Sequence, residues 1–277
     1  MEQSYVAVDL ETTGLEAKRD KIIEIGAIHV VKGREIAAFH SMVNPHRRLK
    51  EQITELTGIT DDMVENAPDI GDIIEEFAEF CGQAPLLGHR IMFDYSFLKR
   101  AAVNHGIPFE KNGIDTLKLC RHFLPEDQPK NLSAACEFFG IRRKKAHRAL
   151  EDARDAHYLY QRLAEWLLTK DCPLFLEIGT GSGKIKEEDL EDVSELRLGN
   201  KEVKEVFMAK PMIYKVKKEQ PATKKQKEDL RYLLKYHKID VPVEIDHLSR
   251  NEVSRLQDQI IFQYGRIQEI NRVKQRG

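Results

Sequence analysis

The 277-residue chain is poor in cysteine and uses it without pattern. Its four cysteines, Cys81, Cys120, Cys136 and Cys172, are irregularly spaced, and none belongs to a C-x-x-C pair. That argues against a zinc knuckle and against a disulfide framework, and points to reduced, mostly buried thiols of a cytosolic protein. Long apolar runs are also missing: there is no N-terminal run of signal-peptide type and no stretch that could span a bilayer. A cytoplasmic protein with no membrane partner is expected. No internal repeat is evident. A phosphate-binding loop is suggested by Gly179-Thr180-Gly181-Ser182-Gly183-Lys184 but fails on its neighbours. Ile178 stands where the first glycine is needed and Ile185 where Ser or Thr is needed, so the segment reads as flexible linker.

What is present is an ordinary globular composition, 41% hydrophobic and 32% charged, with the charge unevenly spread. Residues 1–200 hold 26 Lys+Arg against 35 Asp+Glu, a net −9, whereas residues 201–277 hold 18 against 11, a net +7. The length suits one good-sized domain plus a smaller one. A basic tail on an acidic body suggests contact with a polyanion, with a solvated helical tail as the plain alternative.

The chain is organised around Val6-Ala7-Val8-Asp9-Leu10-Glu11-Thr12-Thr13-Gly14. The β-branched, apolar start predicts a buried strand over 4–11, and Asp9 and Glu11, two residues apart, share one face of it. Acids ending a buried strand call for positive charge, and a pair of divalent metal ions is the candidate. A second strand from Ile22 towards Val31, a hairpin turn at Lys32-Gly33-Arg34 and an antiparallel third strand over 35–43 follow. Thr60-Asp61-Asp62 can cap a short helix, and apolar residues at Ile70, Ile73, Ile74, Phe77 and Phe80 have helical spacing. A short strand over 85–88 leads to a helix ended by Asn104-His105-Gly106. A strand end at Ile114-Asp115-Thr116, a helix to Phe139 capped by Asn131 or Ser133, and a long last helix striped by Leu150, Ala153, Ala156, Leu159, Leu163 and Trp166 complete the domain. A strand meander followed by strand–helix alternation implies an α/β domain with a mixed sheet flanked by helices. Beyond it, Thr223…Gln226 and Ser249…Glu252 are capping boxes that open two helices. The expected domains are therefore 1–170, a partly acidic linker over 171–221, and a small basic helix–loop–helix module over 222–277.

Two later stretches also carry acids at element ends: Gly88-His89-Arg90-Ile91-Met92-Phe93-Asp94, and His147-Arg148-Ala149-Leu150-Glu151-Asp152-Ala153. With the first, they resemble the three motifs of the DEDDh 3′–5′ exonucleases, a family that includes the proofreading epsilon subunit of bacterial DNA polymerase III, ribonuclease T and oligoribonuclease. Asp-x-Glu-Thr-Thr-Gly, Phe-Asp-x-x-Phe-Leu and His-x-Ala-x-x-Asp-Ala occur in the family's order over residues 4–168. Asn44-Pro45 and Thr57-Gly58-Ile59-Thr60 resemble the epsilon-like (DnaQ-like) branch. The resemblance implies a ribonuclease-H-like fold.

It further implies that Asp9, Glu11, Asp94 and Asp152 bind two Mg²⁺ or Mn²⁺ ions and that His147 is the general base taking a proton from the attacking water. The chemistry agrees: hard cations want oxygen ligands, two ions roughly 3.5–4 Å apart suit in-line phosphodiester hydrolysis, and imidazole suits proton abstraction. Asp94 and Asp152 can each be read instead as helix N-terminal acids. Glu24 reads as a sheet-edge charge, Glu151 as a solvated neighbour of Asp152, and His89 as a satisfied polar residue, while Asp115 could shape the site from behind. By resemblance Thr12 and Thr13 touch the 3′ nucleotide, and Leu15 is either a wedge against its base or a core leucine. Many epsilon-like members have His-Asn where this chain has His89-Arg90, and Arg90 could reach a phosphate.

The function expected is a metal-dependent 3′–5′ exonuclease that releases nucleoside 5′-monophosphates from single-stranded or frayed DNA ends, with a replication or repair partner. A 3′–5′ exoribonuclease and a non-catalytic module binding nucleic acid or a polymerase are the alternatives. No polymerase or helicase motif follows the domain. The tail weakly resembles a SAP module, and Lys215, Lys217, Lys218, Lys224, Lys225 and Lys227 could contact phosphates without reading sequence, with a protein-docking or dimerising tail as the alternative.

Overall fold

The computed structural model describes residues 4–144, 146–166 and 207–267. The chain divides into two compact units, Met1–Pro45 with Leu49–Val216, and His46–Arg48 with Lys217–Gly277. In the first unit β1 (Ser4–Thr12), β2 (Ile22–Val31), β3 (Arg34–Met42), β4 (Leu86–Gly88), β5 (Asn112–Asp115) and β6 (Lys210–Pro211) form a mixed sheet in the order β3-β2-β1-β4-β5-β6. The meander β1–β2–β3 is antiparallel, and β4 and β5 add in parallel to β1. The hairpin between β2 and β3 turns on Lys32 (φ 49°) and Gly33 (φ 76°), both left-handed, as a tight two-residue turn requires.

Strand alternation divides the core in two. Val6, Val8 and Leu10 face one layer with α3 (Ile70–Cys81) and α4 (Met92–His105), through Ile74, Phe77, Tyr95 and Leu98. Tyr5 and Ala7 face the other, covered by α5 (Thr116–Phe123), α6 (Leu132–Phe138) and α7 (Ala149–Trp166), through Leu119, Ala135, Leu159, Tyr160 and Leu163. Asp9 and Glu11 continue the Tyr5–Ala7 row, so they point to the side where α7 begins. This is the expected ribonuclease-H-like architecture.

Two short helices, α1 (Glu51–Thr57) and α2 (Asp61–Val64), fill the crossover. The first has no counterpart among the sequence-based expectations; the second does, although Thr60 makes no side-chain cap. Asn131, not Ser133, caps α6, accepting from the Ala134 amide at 2.9 Å. Residues 207–216, expected as linker, belong to the first unit: Phe207 stacks on Phe123, β6 pairs with β5, and Met212 is buried in the core. The phosphate-loop look-alike over 178–185 and the acidic residues 187–195 lie outside the described residues.

The second unit has α8 (Lys224–His237) and α9 (Arg250–Tyr264), both opened by complete capping boxes, at Thr223/Gln226 and Ser249/Glu252. Leu230, Leu233, Leu234, Leu248, Val253 and Ile260 form its core. Residues 46–48 are built into this unit, with Arg47 bridged to Val243 and the Arg48 amide on Pro242 O at 3.0 Å. Of the six candidate phosphate-binding lysines, five are exposed; Lys227 folds back onto the Asp246 carbonyl at 2.8 Å. Among the described residues no helix is long and apolar enough to cross a membrane.

Candidate functional site

Three backbone elements converge on the end of β1. Asp9 is half-buried and Glu11 buried on the strand itself. Asp94, in the first turn of α4, is buried and accepts from the Leu10 amide at 3.2 Å, so its carboxylate is pinned beside the two strand acids. Asp152, in the first turn of α7, is also buried. Gly26 allows α7 to start so close to the sheet. It pairs with Asp9 across β1–β2, and a Cβ on it would lie 2.0 Å from Leu150 N and 2.2 Å from the Ala149 carbonyl carbon. An isolated glycine inside a strand is the sequence signal of such an approach.

The electrostatics fit a cation site. Burial raises the pKa of Asp9 well above the ordinary carboxylate value, and repulsion from Asp94, Asp152 and Glu11 adds to it. Burial and the neighbouring Asp152, Glu24 and Asp94 push Glu11 up to about 8. Asp94 is pushed up to about 8 by burial, against the backbone bonds it accepts. Asp152 is raised by burial, with Arg143 opposing. Converged acids that resist ionising are what divalent cations relieve, and the all-oxygen donors suit Mg²⁺ or Mn²⁺.

His147 lies in the exposed loop before α7 with a left-handed backbone, φ 58°. Its amide donates to Asp152 Oδ2 at 3.1 Å. One donor atom each of Glu11, His147 and Asp152 lie within 4.8 Å of one another. Thus the structure brings together the acids and the histidine that the three motifs singled out.

Three charged residues that hold this constellation escape a reading of the sequence alone: Glu24, Arg148 and Arg143. Glu24 is not a sheet-edge charge: β2 lies between β3 and β1, and Glu24 is fully buried, directly opposite Glu11 in the ladder. It receives Arg148 through Nε at 3.0 Å and Nη2 at 2.7 Å, the Ala149 amide at 3.1 Å and His40 Nε2 at 2.7 Å. Burial pushes its pKa up, but these bonds outweigh it and leave the carboxyl below its ordinary value. Arg143 bonds Asp152 and, at 2.6 Å, Asp155. The alternation of β2 could have placed Glu24 beside Glu11; nothing local could have paired it with Arg148, 124 residues away.

Around the acids, Thr12 and Thr13 are buried, with Thr12 Oγ1 donating to Gly14 O at 2.6 Å and Thr13 Oγ1 accepting from the Lys21 amide at 3.0 Å. Leu15 is 80% exposed, which removes the core reading. Arg90 is exposed, with φ 79°, and its guanidinium lies 5.8 Å from the Phe93 ring centre. Asp115 caps α5 and accepts from the Arg90 amide at 3.0 Å, shaping the second motif from behind. His89 pairs with Thr116 Oγ1 and Lys130 O, a satisfied polar residue. Glu151 bonds Arg154 at 2.8 Å.

Residues 6–160 match the exonuclease family RNase_T. DNA polymerase III PolC-type from Bacillus subtilis (strain 168) is 39% identical over 186 residues, covering 66% of this chain and 13% of that protein. The PolC-type protein of Oceanobacillus iheyensis is 37% identical over 186 residues, with the same coverage. The chain thus spans about an eighth of the length of these curated relatives. Among solved structures, the nuclease domain of 3′hExo, a DEDDh family member bound to rAMP, superposes with TM-score 0.52 at 21% identity over 59% of this chain and 92% of that chain. E. coli Exonuclease I in complex with a dT13 oligonucleotide gives 0.51 at 16% identity over 64% and 46%. At these identities the structural likeness is one of fold.

Proposed function

The chain belongs to the RNase_T exonuclease family, and from that premise we propose that it is a DEDDh-type, metal-dependent 3′–5′ exonuclease of DNA 3′ ends, single-stranded or frayed, releasing nucleoside 5′-monophosphates. The observation that carries the reading is the convergence of Glu11, His147 and Asp152 donor atoms within 4.8 Å, beside Asp9 and buried Asp94. Asp9, Glu11, Asp94 and Asp152 would hold two Mg²⁺ or Mn²⁺ ions. When bound, such ions screen the phosphate charge and make water a better nucleophile near neutral pH.

The chain's own residues supply the rest. His147 takes the proton of the attacking water, and the Arg148–Glu24 clamp next to it keeps its loop in reach. Exposed Leu15 wedges against the terminal base, Thr12 and Thr13 shape the loop beneath the 3′ nucleotide, and Arg90 meets a phosphate. Identity of 37–39% to PolC-type polymerases supports DNA over RNA and a replication or repair partner, with proofreading as the setting. The exposed lysines of the second unit add phosphate affinity without reading sequence.

The test offers end-labelled single-stranded DNA, duplex DNA with a mismatched 3′ end, and short RNA, each with Mg²⁺ or Mn²⁺. Mononucleotide release from the 3′ end of the two DNAs, lost in Asp9→Ala, is the expected result. Preferential release from RNA would move the assignment to an exoribonuclease. No metal-dependent release from any substrate, with Asp9→Ala indistinguishable from wild type, would leave only a binding module.

A further inference from the structure

The second unit holds a cluster of donors that takes no part in the carboxylate site. Glu244 is the N-cap of a short 3₁₀ turn, Ile245–His247. Three residues per turn eclipse positions i and i+3, so Glu244 and His247 share a face. His247 Nε2 is 3.7 Å from Glu244 Oε2. The third member comes from far away in sequence. His46 Nδ1 lies 3.1 Å from the same Glu244 oxygen, across 198 residues, and its ring stacks on that of His247 with centroids 3.5 Å apart and planes 8° from parallel. The Glu244 amide donates to His46 O at 2.9 Å, and the Arg47–Val243 bridge locks the segment in register.

Two features go beyond a chance meeting of polar side chains. His46 adopts a left-handed backbone, φ 53°, which a non-glycine residue holds at some conformational expense and which tends to mark sites where a side chain is being aimed. Donor atoms of His46, Glu244 and His247 all lie within 4.8 Å of one another, close enough for one ion to reach all three. The neighbouring acid is not part of the set: Asp246 turns to Arg231 at 2.6 Å.

We propose that His46, Glu244 and His247 form a second metal site, for a borderline cation of the Zn²⁺ type. Two imidazoles and one carboxylate suit zinc, and also Co²⁺ or Ni²⁺, but not the hard ions that four carboxylates select. Three protein ligands leave a coordination position for water, and the partial exposure of all three side chains gives the ion a way in. Bound there, the ion cross-links chain positions 198 residues apart and holds the 46–48 segment in the second unit. It stabilises the fold by mass action, because the unfolded chain has no such site.

The test uses the full chain with saturating Mg²⁺ present, so that the carboxylate site is filled by its own class of ion. Zn²⁺ binding is followed by calorimetry, and Co²⁺ by its visible ligand-field absorption. Wild type is expected to take up one Zn²⁺ that His247→Ala and Glu244→Ala bind more weakly, by more than the roughly 10–100-fold typical of changing a residue behind the ligands. It should also show a zinc-dependent rise in unfolding temperature that both variants lack. Their nuclease activity in Mg²⁺ alone, and their unfolding temperature without zinc, should match wild type, which establishes that the variants fold. Equal zinc affinity and stoichiometry in wild type and both variants would overturn the proposal, as would wild type that binds no zinc under these conditions.

Discussion

His147 reaches the acids through a backbone that leaves little freedom. Its left-handed φ of 58°, its amide bond to Asp152 and the adjoining Arg148–Glu24 clamp fix the loop. If the imidazole is the general base, His147→Ala should lower kcat by about 10²–10⁴-fold with Mn²⁺ affinity retained. Turnover measured beside Mn²⁺ titration checks this, and a parallel loss of Mn²⁺ affinity would make His147 a ligand instead. Glu24 acts at one remove. Glu24→Ala takes from Arg148 the buried carboxylate that it grips with two nitrogens, and should cost about 3 kcal/mol of stability. That is the low end for a broken buried pair, since 26% of the Arg148 side chain remains exposed. Denaturant unfolding measures it, and Glu24→Gln, which keeps the shape, should recover part of the stability, while both variants, by loosening the loop that carries His147, should lower kcat and hardly move KM.

At the scale of elements, the site depends on how near α7 comes to the sheet. Gly26→Ala would set a methyl group against Leu150 N and Ala149 C, so the start of α7, with Asp152 on its first turn, must shift outward. The expected loss is about 1–3 kcal/mol of stability together with weaker Mn²⁺ binding, read by unfolding and by metal titration on the same preparation. The elements that build the site are legible in the sequence because each has a local signature. Alternation puts Asp9 and Glu11 on one face, and the apolar stripes of α3 and α7 are plain. The short helix α1 is not legible: only Thr57 is buried on it, and Lys50 offers no side-chain cap. Glu24 reads wrongly as an edge charge because its partners, Arg148 and His40, come from other elements. Residues 46–48 read as part of the first domain, and only pairing with residues 242–244 shows otherwise.

For the whole molecule the uneven charge makes two separable predictions. Lys217, Lys218 and Lys225 are exposed in the second unit. If they touch phosphates, changing all three to Ala should weaken single-stranded DNA binding similarly for every sequence. The salt dependence should flatten by up to about 2 in log–log slope, roughly 0.7 for each single-strand phosphate that is no longer neutralised, as read by anisotropy. The acids of the first unit act in the opposite sense, against the fold itself. Glu11 and Asp94 are pushed up to about 8 in the folded protein, above their ordinary values of 4.5 and 3.8, and Asp9 and Asp152 are raised as well. Between the unfolded and folded values the native state binds protons that the unfolded chain has released, so stability falls as pH rises. Their contribution is fully present below about pH 4 and is lost progressively up to about pH 8. In EDTA the unfolding free energy should therefore fall by on the order of 1 kcal/mol per pH unit for each of Glu11 and Asp94. Saturating Mn²⁺ should flatten that slope at the alkaline end, because the ions then do what the protons did. Thermal unfolding across this range, with and without Mn²⁺, measures both slopes. A metal-free protein equally stable at pH 5 and pH 8 would mean that these acids are not crowded in solution as they are in the fold.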